Sequence, residues 1–255
     1  MRFEVLGKSP AWTDSGGACS GYLVQEGATT LLLDCGNGVF GKLRERIDPF
    51  AVEAVVLTHL HADHVVDILP FAYALLYSPR ERPSTRCPLY VPPGAHDRLR
   101  PMVDCWGPDH LLDSAFDVRE YDPEDVLEVG ATALRFREVP HFTPTWAVDL
   151  RTPTAASGPR IVFGADCAPN DALEDFARDA DLFIVEATLA EPEREGLRGH
   201  LTPAEAGALA ARARARRVVV THYSDMLDPA WVRTEAEGAL GGPVELAVEG
   251  ASYET

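Results

Sequence analysis

No apolar run in the sequence approaches the roughly 18 residues that a membrane-spanning helix needs, so a soluble protein is expected. The opening residues, Met1-Arg2-Phe3-Glu4-Val5-Leu6, lack the long apolar core of a secretory signal and read as a strand. The expected location is the cytoplasm. Cysteine is sparse and unpatterned. Cys19, Cys35, Cys87, Cys105 and Cys167 are odd in number and include no Cys-x-x-Cys pair, which argues against a disulfide framework or a cysteine zinc site. Positive charge is scarce too. Only 23 bases face 40 acids, for a net charge of −17, and Lys8 and Lys42 are the only lysines. Such a chain repels polyphosphate backbones unless its bases cluster, so broad nucleic-acid binding is not expected. A small anion remains accessible where a metal supplies local positive charge.

Apolar side chains are present in ordinary amount, 46% of 255 residues, enough for a packed core. No repeat or long low-complexity linker interrupts the chain, and residues 1–255 read as one domain. Short apolar runs predict strands over 2–6, 21–25, 30–34, 54–58, 89–91, 131–139, 146–150, 160–163, 182–186, 218–221 and 244–248. Helical spacing falls between several of them, over 38–46, 64–77, 94–105, 171–179 and 203–216. The last has a clear start, with Thr202 as N-cap, Pro203 in the first turn and Glu205 three residues after the cap. Residues 78–93, rich in Pro and Arg, read as a surface loop, and 151–160 read as a hairpin connection. The early strands form a meander and the later ones alternate with helices. That order predicts an α/β fold of two sheets packed face to face with helices outside.

The segment with chemical content is VVLTHLHADH, residues 55–64. A buried strand ends at Thr58, and the turn after it carries His59, His61, Asp63 and His64. Residues two apart on an extended stretch point the same way, so His59 and His61 can share one metal. Asp63 and His64 follow a change of direction and can face a second. Nitrogen and oxygen ligands of this kind suit zinc, with manganese or iron as alternatives. Four such groups at the end of an apolar strand are costly to bury unless something binds them.

This string resembles the ligand motif of the metallo-β-lactamase fold hydrolases, and the likeness covers nearly the whole chain. In that superfamily the remaining ligands are a later histidine, an aspartate bridging both metals and a last histidine, each at a strand end. The matching residues are His141 (in ALRFREVPHF), Asp166 (in RIVFGADCAPND) and His222 (in RVVVTHYSD). The resemblance implies two Zn2+ ions, with Mn2+ or Fe2+ as alternatives. His59, His61 and His141 would hold one, Asp63, His64 and His222 the other, with Asp166 between them. It also implies a four-layer αββα sandwich. Cys167, beside Asp166, is placed to line such a site, whereas His96 and His110 read as structural or surface residues.

Two further motifs resemble the phosphodiesterase branch, which includes the tRNA 3′-processing enzymes (RNase Z). They are Glu186-Ala187-Thr188 at a strand end and Gly199-His200-Leu201-Thr202 before a capped helix. In that branch the histidine, paired with the glutamate, contacts phosphate and protonates the leaving oxygen. Two departures separate this chain from RNase Z. Val185 stands where a histidine usually precedes Glu-Ala-Thr, and only a short hairpin lies between His141 and Asp166, where RNase Z inserts a long arm. The start of the chain, VLGKSP followed by GGACSGYLV, is similar instead to actinobacterial atypical cyclic-nucleotide phosphodiesterases of this fold. Its glycine-rich loop can offer backbone N–H groups to a phosphate.

The expected protein is a metal-dependent hydrolase, a dinuclear phosphodiesterase acting on small phosphodiesters, with 3′,5′-cyclic nucleotides such as cyclic AMP first. Asp63, His200 and Glu186 are the expected catalytic residues, and Asp63 also binds metal. Family analogy implies a homodimer. The alternatives are RNA 3′-end processing, or hydrolysis of lactones, thioesters or sulfate esters. A catalytically dead scaffold would need broken ligands, a redox di-iron relative a glutamate at position 61, and a β-lactamase a ligand set without the Asp166 bridge.

Overall fold

The computed structural model describes residues 1–80, 84–153 and 158–255. It holds two seven-stranded sheets. The first contains β1 (Arg2–Gly7), β2 (Gly21–Glu26), β3 (Thr29–Leu33), β4 (Ala54–Val56), β5 (Cys87–Val91), β6 (Phe116–Glu120) and β14 (Ser252–Glu254), in the order β14-β1-β2-β3-β4-β5-β6. The second contains β7 (Leu127–Val129), β8 (Thr132–Val139), β9 (Thr145–Arg151), β10 (Arg160–Phe163), β11 (Leu182–Glu186), β12 (Val218–Thr221) and β13 (Glu245–Leu246), in the order β13-β12-β11-β10-β9-β8-β7. Each sheet is antiparallel over one half and parallel over the other. In the first, pairing is antiparallel from β14 to β3 and parallel from β3 to β6. In the second it is antiparallel from β7 to β10 and parallel from β10 to β13.

The four layers follow from strands that are apolar on both faces. Alternate side chains of a strand point to opposite sides. Leu31 and Leu33 of β3, Ala54 and Val56 of β4, and Leu182 and Ile184 of β11 face the core between the sheets. Their neighbours Leu32 and Val55 pack outward under α1 (Val39–Arg46), α3 (Ile68–Tyr77), α4 (His96–Asp104) and α5 (Leu111–Ala115). Phe183 and Val185 pack under α6 (Asp171–Phe176), α7 (Pro203–Ala213) and α8 (Pro229–Leu240). This is the predicted αββα sandwich. No helix among the described residues is long and apolar enough to cross a membrane.

Some boundaries differ from the sequence reading. The single helix expected over 64–77 is two, α2 (Ala62–Val65) and α3, separated at Val66–Asp67. Pro70 has no N–H to give the Val66 carbonyl, so one continuous helix would lose that bond. Strands β6, β7 and β14 and helices α5 and α8 were not expected. The capping box of α7 is present, with Thr202 and Glu205 bonding reciprocally. The antiparallel β9–β10 pair is the expected hairpin, although residues 154–157 of its connection lie outside the described residues, as do 81–83 of the loop before β5.

Candidate metal centre

The site lies at one end of the sandwich, where β4, β8, β10, β11 and β12 stop and the chain turns. His59, His61, Asp63 and His64 follow β4, and the others come from the second sheet: His141 after β8, Asp166 after β10 and His222 after β12. Ala11, Asp34, Ala165 and His222 all take left-handed backbone, with φ between 52° and 58°. That conformation costs a non-glycine residue about 1–2 kcal/mol, and such strain gathers at functional sites.

The seven predicted ligands converge in two clusters that share Asp166. His59, His61, His141 and Asp166 form one, and Asp63, His64, Asp166 and His222 the other. Asp166 Oδ2 is the hub, 3.8 Å from His59 Nε2, 3.3 Å from His64 Nε2, 3.9 Å from His141 Nε2 and 3.5 Å from His222 Nε2. His61 Nδ1 lies 3.0 Å from His141 Nε2, and Asp63 Oδ2 3.3 Å from His222 Nε2. Donors bound to a tetrahedral ion at 2.0–2.2 Å sit about 3.3–3.6 Å apart, so these spacings fit.

Hydrogen bonds behind the rings decide which nitrogens face inward. Asp34, at the end of β3, accepts from His64 Nδ1 at 2.8 Å and from the Thr58 hydroxyl at 2.8 Å. Thr58 Oγ1 in turn lies 3.0 Å from His59 Nδ1 and accepts its proton. His141 Nδ1 donates to the Gly199 carbonyl at 2.7 Å. Glu186 repeats the Asp34 pattern on the second sheet. It accepts from the Thr188 hydroxyl at 2.6 Å, and Thr188 Oγ1 accepts from His222 Nδ1 at 2.9 Å. Because each Nδ1 points outward, the Nε2 atoms of His59, His64, His141 and His222 all face Asp166, and those of His64 and His222 face Asp63 as well. His64 and His222 present theirs to each other at 3.4 Å, and the buried His59 Nε2 has no hydrogen-bond partner among the described residues. Lone pairs and carboxylates in one buried space repel unless a cation sits among them. The donor set therefore fits a dinuclear metal site.

The same crowding sets the proton affinities. Burial holds His59 well below the ordinary imidazole value, and burial also lowers His61 and His141. Burial works against His64 as well, but Asp166 and Asp34 hold it well above. Asp63 and Asp166 are depressed despite burial, Asp63 chiefly by His222 and His64, and Asp166 by His222, His64 and His59.

His200 stands outside both clusters. Its Nδ1 is 2.9 Å from Glu186 Oε1, and that pair, outweighing burial, raises the imidazole to about 9. The backbone N–H of Cys167 donates to the same oxygen at 3.0 Å, so Cys167 serves through its backbone while its thiol is buried. With Nδ1 taken, Nε2 is the nitrogen left for a substrate. An open cavity of about 320 Å3 is lined by His61, Asp63, Asp166, Thr188, His200 and His222, together with Pro10 and Ala11. Two larger cavities, of about 470 Å3 around Phe50, Arg86 and Cys87 and about 870 Å3 around Arg135, Trp146 and Arg160, contain none of the clustered histidines.

Sequence reasoning missed Asp34, Thr58, the Gly199 carbonyl and the Ala11 amide, which donates to Asp63 Oδ2 at 2.7 Å. An acid directly after the apolar run TTLLL was the available signal for Asp34. The glycine-rich loop is not an open phosphate cradle. The amides of Ser15, Gly17 and Ala18 already donate to Asp225, the Asp14 carbonyl and Glu249. His96 pairs with Asp113 at 2.8 Å and His110 precedes α5, both away from the centre.

Comparison with known proteins agrees with this geometry. The family model described as the Beta-lactamase superfamily domain matches residues 29–223. The uncharacterized protein ML1173 of Mycobacterium leprae is 33% identical, over all of this chain and 88% of its own length. Ribonuclease Z of Myxococcus xanthus is 30% identical, over all of this chain and 97% of its own. The crystal structure of the metallo-β-lactamase fold protein YhfI of Bacillus subtilis superposes with a TM-score of 0.87 at 26% identity, over 100% of this chain and 98% of that one. YhfI is itself described as a probable metallo-hydrolase. With its two sheets, its shared aspartate and its inward-facing imidazoles, the chain belongs to the β-lactamase superfamily as a metal-dependent hydrolase.

Proposed function

We propose that this hydrolase is a dinuclear phosphodiesterase that opens small phosphodiesters, 3′,5′-cyclic nucleotides such as cyclic AMP first. The observation that carries the reading is His200, protonated by its bond to Glu186 and lining the cavity beside the metal clusters without belonging to their shared core. A hydrolase whose leaving group departs as a stable anion has little use for such an acid, whereas a sugar alkoxide needs a proton as it leaves. Zinc is the proposed metal, with manganese or iron as alternatives. His59, His61, His141 and Asp166 would hold one ion, and Asp63, His64, Asp166 and His222 the other. When bound, such a pair supplies Lewis acidity toward the phosphoryl group and lowers the pKa of water.

The chain's own residues do the rest. Asp63 directs a carboxylate oxygen into the cavity and, fixed by the Ala11 amide, can accept a hydrogen bond from the attacking water. His200 Nε2 gives its proton to the departing oxygen, and Glu186 keeps the ring oriented and charged. The cavity volume suits a single nucleotide. The net charge of −17 also supports a small substrate over a long polyanion.

RNA 3′-end processing is the second reading, supported by the ribonuclease Z relative. That alignment runs over 302 positions against 255 residues here, so the relative carries insertions that this chain lacks. We place the protein in the cytoplasm, in keeping with five unpaired cysteines. We also propose a homodimer. Helix α3 contains no charged residue, and Val66, Tyr73, Tyr77, Met102 and Trp106 around it are exposed. A helix without a polar face is usually covered, and sedimentation equilibrium reads whether a second copy covers it.

The test is an activity panel on metal-replete protein, with cyclic AMP, cyclic GMP, bis(p-nitrophenyl) phosphate, a precursor tRNA and a lactone. Turnover of cyclic nucleotides with poor tRNA cleavage is expected. Efficient, salt-sensitive cleavage of precursor tRNA would promote the second reading, and lactone turnover alone would sink both.

A further inference from the structure

The chain's two lysines brace the same loop. Lys42 Nζ donates to the Gly16 carbonyl at 3.3 Å and pairs with Glu249 at 3.0 Å, on the outer side. Lys8, directly after β1, is buried. Its Nζ pairs with the Asp14 carboxylate, donates to the Tyr223 carbonyl at 2.7 Å and sits 3.9 Å over the Tyr223 ring. Two of the ammonium's three N–H bonds go to these oxygens, and its charge rests against the ring face.

The partners of Lys8 lead directly to the metal centre. Asp14 is tied to the loop itself, its N–H donating to the Ser9 hydroxyl at 3.0 Å. Its second oxygen accepts the Asp225 N–H at 3.0 Å, while Asp225 accepts the Ser15 N–H at 3.2 Å. Residues 9–15 are thus closed on themselves and stitched to residues 223–225. The stitched segment begins one residue after His222. The loop carries Ala11, whose amide donates at 2.7 Å to Asp63 Oδ2. Asp63 and His222 both belong to the second cluster and face each other at 3.3 Å. Among the described residues the first cluster has no such bond: His59 is held through Thr58, and His141 through Gly199.

We propose that Lys8 is a positioning residue for the second metal alone, holding Asp63 through the Ala11 amide and His222 through the Tyr223 carbonyl. The left-handed backbone at both Ala11 and His222 makes this hold necessary, because neither turn is a conformation the free chain prefers. The proposal rests on the dinuclear reading of the site but on no particular substrate.

The experiment is titration of metal-free protein with zinc by calorimetry, and with cobalt(II) by its visible absorption, for the native chain and Lys8→Met. Partners that orient ligands are typically worth 10–100-fold in metal affinity. In the variant one site should keep its affinity within about twofold, and the other should weaken by roughly 10–100-fold. Lys8→Met leaves the Asp14 carboxylate unpaired, so the double variant Lys8→Met/Asp14→Asn is measured beside it. Removing both charges spares the fold but not the tether, and the same selective weakening is expected. Equal weakening of both sites, or a lower melting temperature with both affinities kept, would overturn the proposal. A native protein that binds fewer than two ions would overturn the dinuclear reading instead.

Discussion

At the scale of single residues, two carboxylates organise the centre from outside it. Asp34 and Glu186 each serve one imidazole directly and a second through a threonine hydroxyl. Glu186 therefore serves two rings: it orients His200, the proposed proton donor, and, through Thr188, His222, a proposed metal ligand. Replacing His200 by Ala should retain both metals and the fold, and should cost roughly 10²–10⁴-fold in rate on a ribose leaving group. The cost should be much smaller on bis(p-nitrophenyl) phosphate, since p-nitrophenolate leaves readily without a proton. Glu186→Gln should show a weaker form of that leaving-group pattern and, unlike His200→Ala, also a loss of metal affinity. Rates on both substrates, with metal content measured alongside, check this. Equal losses for His200→Ala on the two substrates would mean that it binds phosphate and donates no proton. The clustering of the seven residues was legible in the sequence because three histidines and an aspartate crowd residues 59–64 after β4, and the resemblance that string carries pointed to His141, Asp166 and His222. Asp34 and Thr58 were not, because an acid or a threonine after a strand is common and only the fold brings these two under His59 and His64.

Among the elements, the inner strands were the easiest to foresee. Runs such as RIVF and LFIVE are apolar on both faces, which only a strand between two layers requires. β6 and β7, at the edge, carry FDVRE and LEV, short and partly charged, and edge position rather than pattern makes them strands. Helix α8 should have been read. Asp228 caps it, Pro229 opens it and Gly241 closes it in left-handed backbone, a complete start and stop signal. Its weak apolar stripe hid it, for only Val232 and Ala236 are buried. Those residues matter because α8 lies very close to α7. A Cβ on Gly207 would fall 2.1 Å from the Ala236 carbonyl oxygen. Backbone cannot yield there cheaply, so Gly207→Ala should destabilise by about 1–3 kcal/mol in urea unfolding. Activity per folded molecule should be retained, since neither helix supplies a ligand. An unchanged unfolding midpoint would show that the two helices separate freely.

Across the whole molecule, the clustered residues divide between the layers. His59, His61, Asp63 and His64 hang from β4 in one sheet, and His141, Asp166 and His222 from β8, β10 and β12 in the other. Whatever ion binds there staples the two halves of the sandwich at one end, and pulling the sheets apart means releasing it. Mass action then makes the metal part of the folding equilibrium: a ligand at about 100 times its dissociation constant adds roughly 2.7 kcal/mol per site. The melting temperature should climb steadily with free zinc and drop on chelation. The dependence should flatten in Asp166→Ala, which removes the one side chain common to both clusters. A melting temperature indifferent to zinc would mean that the sheets hold together without the staple. The same linkage makes metal supply a control on how much of this protein stays folded, and through that on how long it lasts, before any substrate is met.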